Sequence, residues 1–180
     1  MTVTAVLTAY AALVASLALA ISLLALRVLP DQAPLSRPGA GVPLPAGGPD
    51  PGSPAPPILA RTSTGQPLDS AELAGRPYLV AFLSSSCPGC RTSLPSLAGY
   101  VGLHPGPLRL IVVIVGDPRR GADIERLLAP IATVVFEPVG GPIAAAYRIT
   151  GFPSYVLVSA DSAVLATGGS VLDLPQSQPQ

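Results

Sequence analysis

The chain of 180 residues has no Trp, only three Phe and five Tyr, a single His, two Cys, and charge on just 11% of its residues. Its basic residues are all Arg, ten of them, balanced by ten acidic side chains to a formal charge of zero, with no basic cluster beyond Arg119-Arg120. A nucleic-acid binder needs a basic face and stacking aromatics, so that class is excluded. One His and two Cys leave a closed tetrahedral zinc site about two soft ligands short, and no metal is expected. Nothing suggests a cofactor box. The two Cys fall within one tetrapeptide, Cys87-Pro88-Gly89-Cys90, so they cannot staple distant parts of a fold.

What is abundant comes first along the chain. Positions 3–26 carry no charge and are dominated by Ala, Leu, Val and Ile. At a helical rise of about 1.5 Å per residue, such a run reaches roughly 36 Å, slightly more than a hydrocarbon core of about 30 Å. Residues 1–29 are therefore expected to form a single transmembrane anchor. A cleaved signal peptide, with Ala18-Leu19-Ala20 as its small-residue site, is the alternative, but the usual basic n-region is missing. From 30 to 57, ten of 28 residues are Pro and five are Gly, and only Asp31, Arg37 and Asp50 are charged. That composition cannot bury a core and predicts a solvated, extended linker. One globular domain over 58–171 follows, and the Gln- and Pro-rich end, 172–180, is expected to fray.

Within the domain, short apolar runs predict strands over 58–61, 78–83, 108–115, 132–136, 154–159 and 163–166. Helices are expected over 69–74, 88–101, 122–128 and 142–147. The nearly unbroken aliphatic run 108–115 suits a central strand covered on both faces, and alternation of strands with helices predicts an α/β sandwich.

Cys87 stands where a strand runs through Ser84-Ser85-Ser86 into a helix that contains Cys90. At a helix's first turn, unpaired N–H groups and the positive dipole end favour an anionic sulfur, which marks Cys87 as the attacking thiol. Cys90, one turn later and more buried, resolves the mixed disulfide. Pro88 suits the first helical position because it has no N–H to lose, and Gly89 adds no bulk beside the sulfurs. By itself this spacing also fits half a zinc site or chance; context narrows it.

That context is Pro95, five residues past Cys90, and Gly151-Phe152-Pro153 just before an apolar strand. With the strand-to-helix junction, these resemble the thioredoxin fold. The stretches 54–58, 64–68 and 73–77, the segment Tyr147-Arg148-Ile149-Thr150-Gly151-Phe152-Pro153 and the Ala160-Asp161-Ser162 turn resemble its redoxin branch, with alkyl hydroperoxide reductase, thiol-specific antioxidant and TlpA/ResA-type members. The apolar leader, the Gly/Pro-rich lead-in and 83–90 look most like the methylamine utilisation protein MauD type. The resemblance implies a central mixed sheet flanked by helices, with one transmembrane helix before it. Cys87 is then the nucleophile and Cys90 the resolving thiol, and Pro95 kinks the active-site helix. Pro153 is a cis-proline whose neighbours Phe152 and Ser154 pair with a substrate backbone. It also implies no cofactor, a domain on the extracytoplasmic side of the cell membrane, protein thiols or disulfides as partners, and a CcdA/DsbD-like membrane redox partner. Read alone, Arg27 and Arg37 would place the domain in the cytoplasm.

The chain departs from the family pattern in three places. Ala81 stands where thioredoxins carry a buried Asp, Ser93 where ResA-like proteins carry a Glu, and Ser86 where a Trp is common. The usual proton carrier for the resolving thiol is therefore missing. Two other readings stay open. A thiol peroxidase would use Ser84 as its hydroxyl, although the Pro it requires is replaced by Val80. The other is a redox-inactive binding module. Arg91 and the Asp123, Glu125 and Arg126 set read as solvated, His104 as a surface or capping residue, and Tyr100, Phe136 and Tyr147 as core.

Overall fold

The computed structural model describes residues 47–104 and 108–176, together with Ser16. Apart from Ser16, the expected anchor (1–29) lies outside the described residues, as does the linker up to residue 46. No helix among the described residues is long and apolar enough to cross a membrane.

Two short strands, β1 (Leu59–Arg61) and β2 (Pro67–Asp69), pair as an antiparallel hairpin. The main sheet follows, with β3 (Tyr78–Ser84), helix α1 (Pro88–Leu103), β4 (Arg109–Val115), helix α2 (Pro118–Leu128) and β5 (Thr133–Glu137). Helix α3 (Pro142–Ala146) then leads to β6 (Ser154–Val158) and β7 (Val164–Gly168). The strand order is β5-β4-β3-β6-β7, parallel among β3, β4 and β5, and antiparallel at β6 and β7. The expected mixed sheet is present, and β4 is buried on both faces, as its aliphatic run requires.

Period-two alternation along β3 divides the core. Leu79, Ala81 and Leu83 face α1 and α2, while Tyr78, Val80 and Phe82 face α3. Helix α1 buries Cys90, Leu94, Leu97 and Tyr100, one stripe of a 3.6-residue repeat. Pro95 lies on its exposed side and leaves the Arg91 carbonyl without a helical donor. Helix α2 approaches the sheet at Gly121, where a Cβ would lie 2.8 Å from Ile114 and 2.9 Å from Phe136. It starts at Pro118, four residues earlier than expected, because Asp117 accepts the Arg119 N–H and Pro118 opens the first turn.

Composition misplaced other features. The strand β2 was missed because three residues are too few for a pattern, and the expected helix 69–74 is a single 3-10 turn, Ser70–Leu73, capped by Asp69. At the domain's start, residues 47–57 are held as a strap. The Gly52 N–H donates to the Val164 carbonyl, Ala55 N–H to that of Ser162, and Pro54 bridges Ala163. Thr167 Oγ1 donates to the Pro49 carbonyl, and the Gly47 N–H to Thr150 Oγ1. The glycines serve close approach here, because a Cβ at Gly47 would sit 2.3 Å from Thr150 Oγ1. At the other end, Val171 and Leu174 are buried, and the Tyr100 hydroxyl donates to the Pro175 carbonyl at 2.7 Å. The chain through 176 is thus part of the packed domain.

Candidate active site

The end of β3 and the start of α1 hold both sulfurs. The Ser85 N–H donates to the Val115 carbonyl at 3.0 Å and keeps the turn in the sheet, while the Cys87 N–H turns back to the Ser84 carbonyl at 3.2 Å. Cys87 is the N-cap in extended conformation (φ −87°, ψ 117°), and Pro88 opens the helix. In the pair, Cys87 is half-buried at the rim and Cys90, with no exposure, lies beneath it. Both are free thiols. Ser86, Pro88 and Gly89 around Cys87 are exposed and uncharged.

Burial pushes the Cys90 thiol from its usual 9.0 up to about 12; the Ser84 N–H, which donates to its sulfur at 3.3 Å, opposes this. The neighbouring Cys87 thiol raises it further, and the Arg91 charge lowers it. Cys90 is therefore a neutral, packed thiol at physiological pH.

Across the turn, the Phe152–Pro153 peptide is cis. The Cys87 thiol points at the Phe152 carbonyl, 3.7 Å from sulfur to oxygen. Phe152 and Pro153 are partly exposed, so Cys87, Phe152 and Pro153 share one rim. Ser154 is turned inward: its side chain is fully buried, its hydroxyl donates to the Gly151 carbonyl at 2.7 Å, and its backbone is in register with Phe82 of β3. Pro95 is removed from this rim by nearly two helical turns.

Two residues matter more than their sequence positions suggested. Arg91 is a clamp. Its Nε donates to Asp123 at 2.7 Å and its terminal nitrogen to the other Asp123 oxygen at 3.1 Å. That nitrogen also donates to the Ser85 carbonyl at 3.1 Å and the Arg120 carbonyl at 2.8 Å. This fork ties α1 and α2 to the turn before Cys87, and it holds the Asp123 carboxyl below its ordinary range. The solvated reading of both side chains is corrected accordingly; the signal available was their placement on two helices that pack on one sheet face. Tyr155, which no motif marks, is fully buried, and its hydroxyl donates to Ser93 Oγ at 2.8 Å. His104 caps α1, its Nδ1 2.7 Å from the Tyr100 carbonyl. Among the described residues, no three or more His, Cys, Asp or Glu stand together as a metal site.

No family model matches the chain. It is 29% identical over 109 residues to the soluble secreted antigen MPT53 of Mycobacterium tuberculosis, covering 58% of this chain and 60% of that protein. The chain thus spans about 60% of the length of the curated relatives it matches. Among solved structures, it is similar to a secreted M. tuberculosis disulfide oxidoreductase homologous to E. coli DsbE. There the TM-score is 0.54 at 22% identity, over 68% of this chain and 87% of that one. It is also similar to a candidate thiol:disulfide interchange protein DsbE of Chlorobium tepidum, with a TM-score of 0.55 at 26% identity over 66% and 84%. The fold is thioredoxin-like, and these structural neighbours are thiol–disulfide oxidoreductases.

Proposed function

We propose that the protein is a thiol–disulfide oxidoreductase that works through Cys87 and Cys90. The observation that carries this reading is the pairing of a half-exposed Cys87 at a helix start, facing the carbonyl before a cis-proline, with a fully buried Cys90 one turn below. In exchange, the Cys87 thiolate attacks a partner disulfide and expels one partner sulfur. The Cys90 thiol then loses its proton to water and attacks Cys87, forming the intramolecular disulfide and releasing the second partner sulfur. Run backwards, the same steps oxidise a partner dithiol. The cis-Pro153 rim, with the Phe152 carbonyl, is the surface on which the partner backbone lies.

The finer reading keeps the domain extracytoplasmic, held at the cell membrane by 1–29 and the linker that follows. It exchanges electrons with a CcdA/DsbD-like membrane protein and serves, like the MauD type, in the maturation of a dedicated partner. The secreted character of MPT53 supports the compartment. The test is direct: with a model protein disulfide, Cys87→Ser loses all turnover, whereas Cys90→Ser accumulates mixed disulfides. Mass spectrometry of the species trapped on Cys90→Ser in its native host names the partner. Wild-type turnover by Cys87→Ser would overturn the assignment, and peroxide consumption without disulfide exchange would replace it with the peroxidase.

A further inference from the structure

A buried resolving thiol needs something beneath it to hold its orientation, and no carboxylate does so here. Ala81 and Ser93 stand where thioredoxins and ResA-like proteins carry an acid. The buried carboxylate among the described residues is Glu137, whose two oxygens already accept the N–H groups of Ile143 and Ala144 at 2.9 and 2.8 Å. Two hydroxyls adjoin the Cys90 turn instead. Tyr155 lies directly across the sheet from Ala81, and both are packed in the core that includes Cys90. The Tyr155 hydroxyl donates to Ser93 Oγ at 2.8 Å, and Ser93 donates in turn to the Cys90 carbonyl at 2.8 Å.

Resting on the oxidoreductase reading, we infer that Tyr155 and Ser93 are the positioning pair of the resolving thiol, a chain of two hydroxyls that fixes the Cys90 turn to strand β6. The chain starts two residues after Pro153 and ends on the backbone of Cys90. Dithiol and cis-proline strand are therefore joined twice, at the surface from Cys87 to the Phe152 carbonyl and in the core through Ser93 and Tyr155. Burial raises the Tyr155 hydroxyl to about 12, with the Ser93 bond opposing and the nearby Cys90 adding to the rise, so the phenol is within electrostatic reach of the thiol and stays protonated as a donor. A Ser hydroxyl returning to a carbonyl three residues earlier is common in helices. A fully buried phenol locking it to the neighbouring strand is not required by that habit. The pair acts on the second step of exchange, in which Cys90 must lie in line with Cys87 as the Cys90 to Cys87 bond forms and the Cys87 to partner bond breaks.

The two steps can be timed separately with dithiobis-nitrobenzoate, a disulfide that releases coloured thiolates. Attack by Cys87 releases the first, and attack by Cys90 on the resulting mixed disulfide releases the second while the protein dithiol is oxidised. Tyr155→Phe, which keeps the ring, should leave the first release unchanged and slow the second about tenfold. Ser93→Ala should do the same, the double variant should be no slower than either single one, and Ser93→Thr should restore the rate. Unchanged second release in Ser93→Ala, or two independent losses that multiply in the double variant, overturns the inference. Should Tyr155→Phe not fold, the Ser93→Ala and Ser93→Thr pair decides alone. A wild-type protein that gives no rapid first release would instead overturn the oxidoreductase reading.

Discussion

The rim and the floor of the redox site are built by opposite means. At the rim, Cys87 is held by backbone: the helix start, the Ser84 and Phe152 carbonyls, and a turn that Arg91 grips by its Ser85 carbonyl. At the floor, Cys90 accepts one backbone N–H, from Ser84, and is otherwise enclosed by packed side chains, among them Leu94 and Leu97 of the same helix face and Tyr155 of β6. Backbone anchoring and the exposed, uncharged Ser86, Pro88 and Gly89 leave the rim open. Dense packing keeps the floor thiol neutral at physiological pH. In the proposed exchange, the division between an attacking Cys87 and a resolving Cys90 follows from their unequal burial together with the helix start at Cys87.

The comparison can be broken most completely by alkylation. Reduced protein treated with iodoacetamide at neutral pH should take up a single equivalent, on Cys87, and Cys87→Ser should take up essentially none, as read by intact mass. Next in size is the floor's packing. Leu97→Ala should cost about 2–5 kcal/mol in urea unfolding and make Cys90 reactive to alkylation in the folded protein.

The floor also predicts a pH dependence. Between about pH 9 and 12 the unfolded chain has released the Cys90 proton while the folded chain retains it, so the folded state is the more protonated one and stability falls as pH rises. Cys90 contributes at most about 1.4 kcal/mol per pH unit to that slope, and its share should vanish in Cys90→Ala, while buried phenols such as Tyr155 add their own share above about pH 10. Below pH 9 this contribution is fully present. Smaller again is the strap. Gly47→Val, whose Cβ meets Thr150 Oγ1 and the Arg148 carbonyl, should cost about 1–3 kcal/mol by crowding the segment that precedes cis-Pro153, measurable as a lowered unfolding midpoint. The smallest effect is at the rim: Asp123→Asn should loosen the Arg91 fork and slow the first thiolate release by a few-fold, leaving the second unchanged.

Strand positions were legible wherever burial on both faces forces an unbroken aliphatic run, as in 78–83 and 108–115. Helix α1 was legible from Pro88 at its first turn. The two thiols were legible as a pair from their place at the junction, whereas the cis bond at Pro153 was expected only from the family resemblance. Where a residue's role depends on a partner far along the chain, composition misled. Gly47 and Gly48 carry the same signature as free linker, yet they are small because Thr150 and Thr167 leave no room for a side chain. Arg91 carries the signature of an exposed helical charge until α2 brings Asp123 against it.

The sequence by itself placed two thiols three positions apart, one of them at the start of a helix, and a proline before the strand beside them. These are local facts, set by backbone preferences within a few residues. The tertiary structure decided what surrounds the second thiol. A phenol on β6, 65 residues from Cys90, joins the core around that thiol because antiparallel pairing sets it opposite Ala81. No local preference encodes that meeting, since it arises only when the sheet closes.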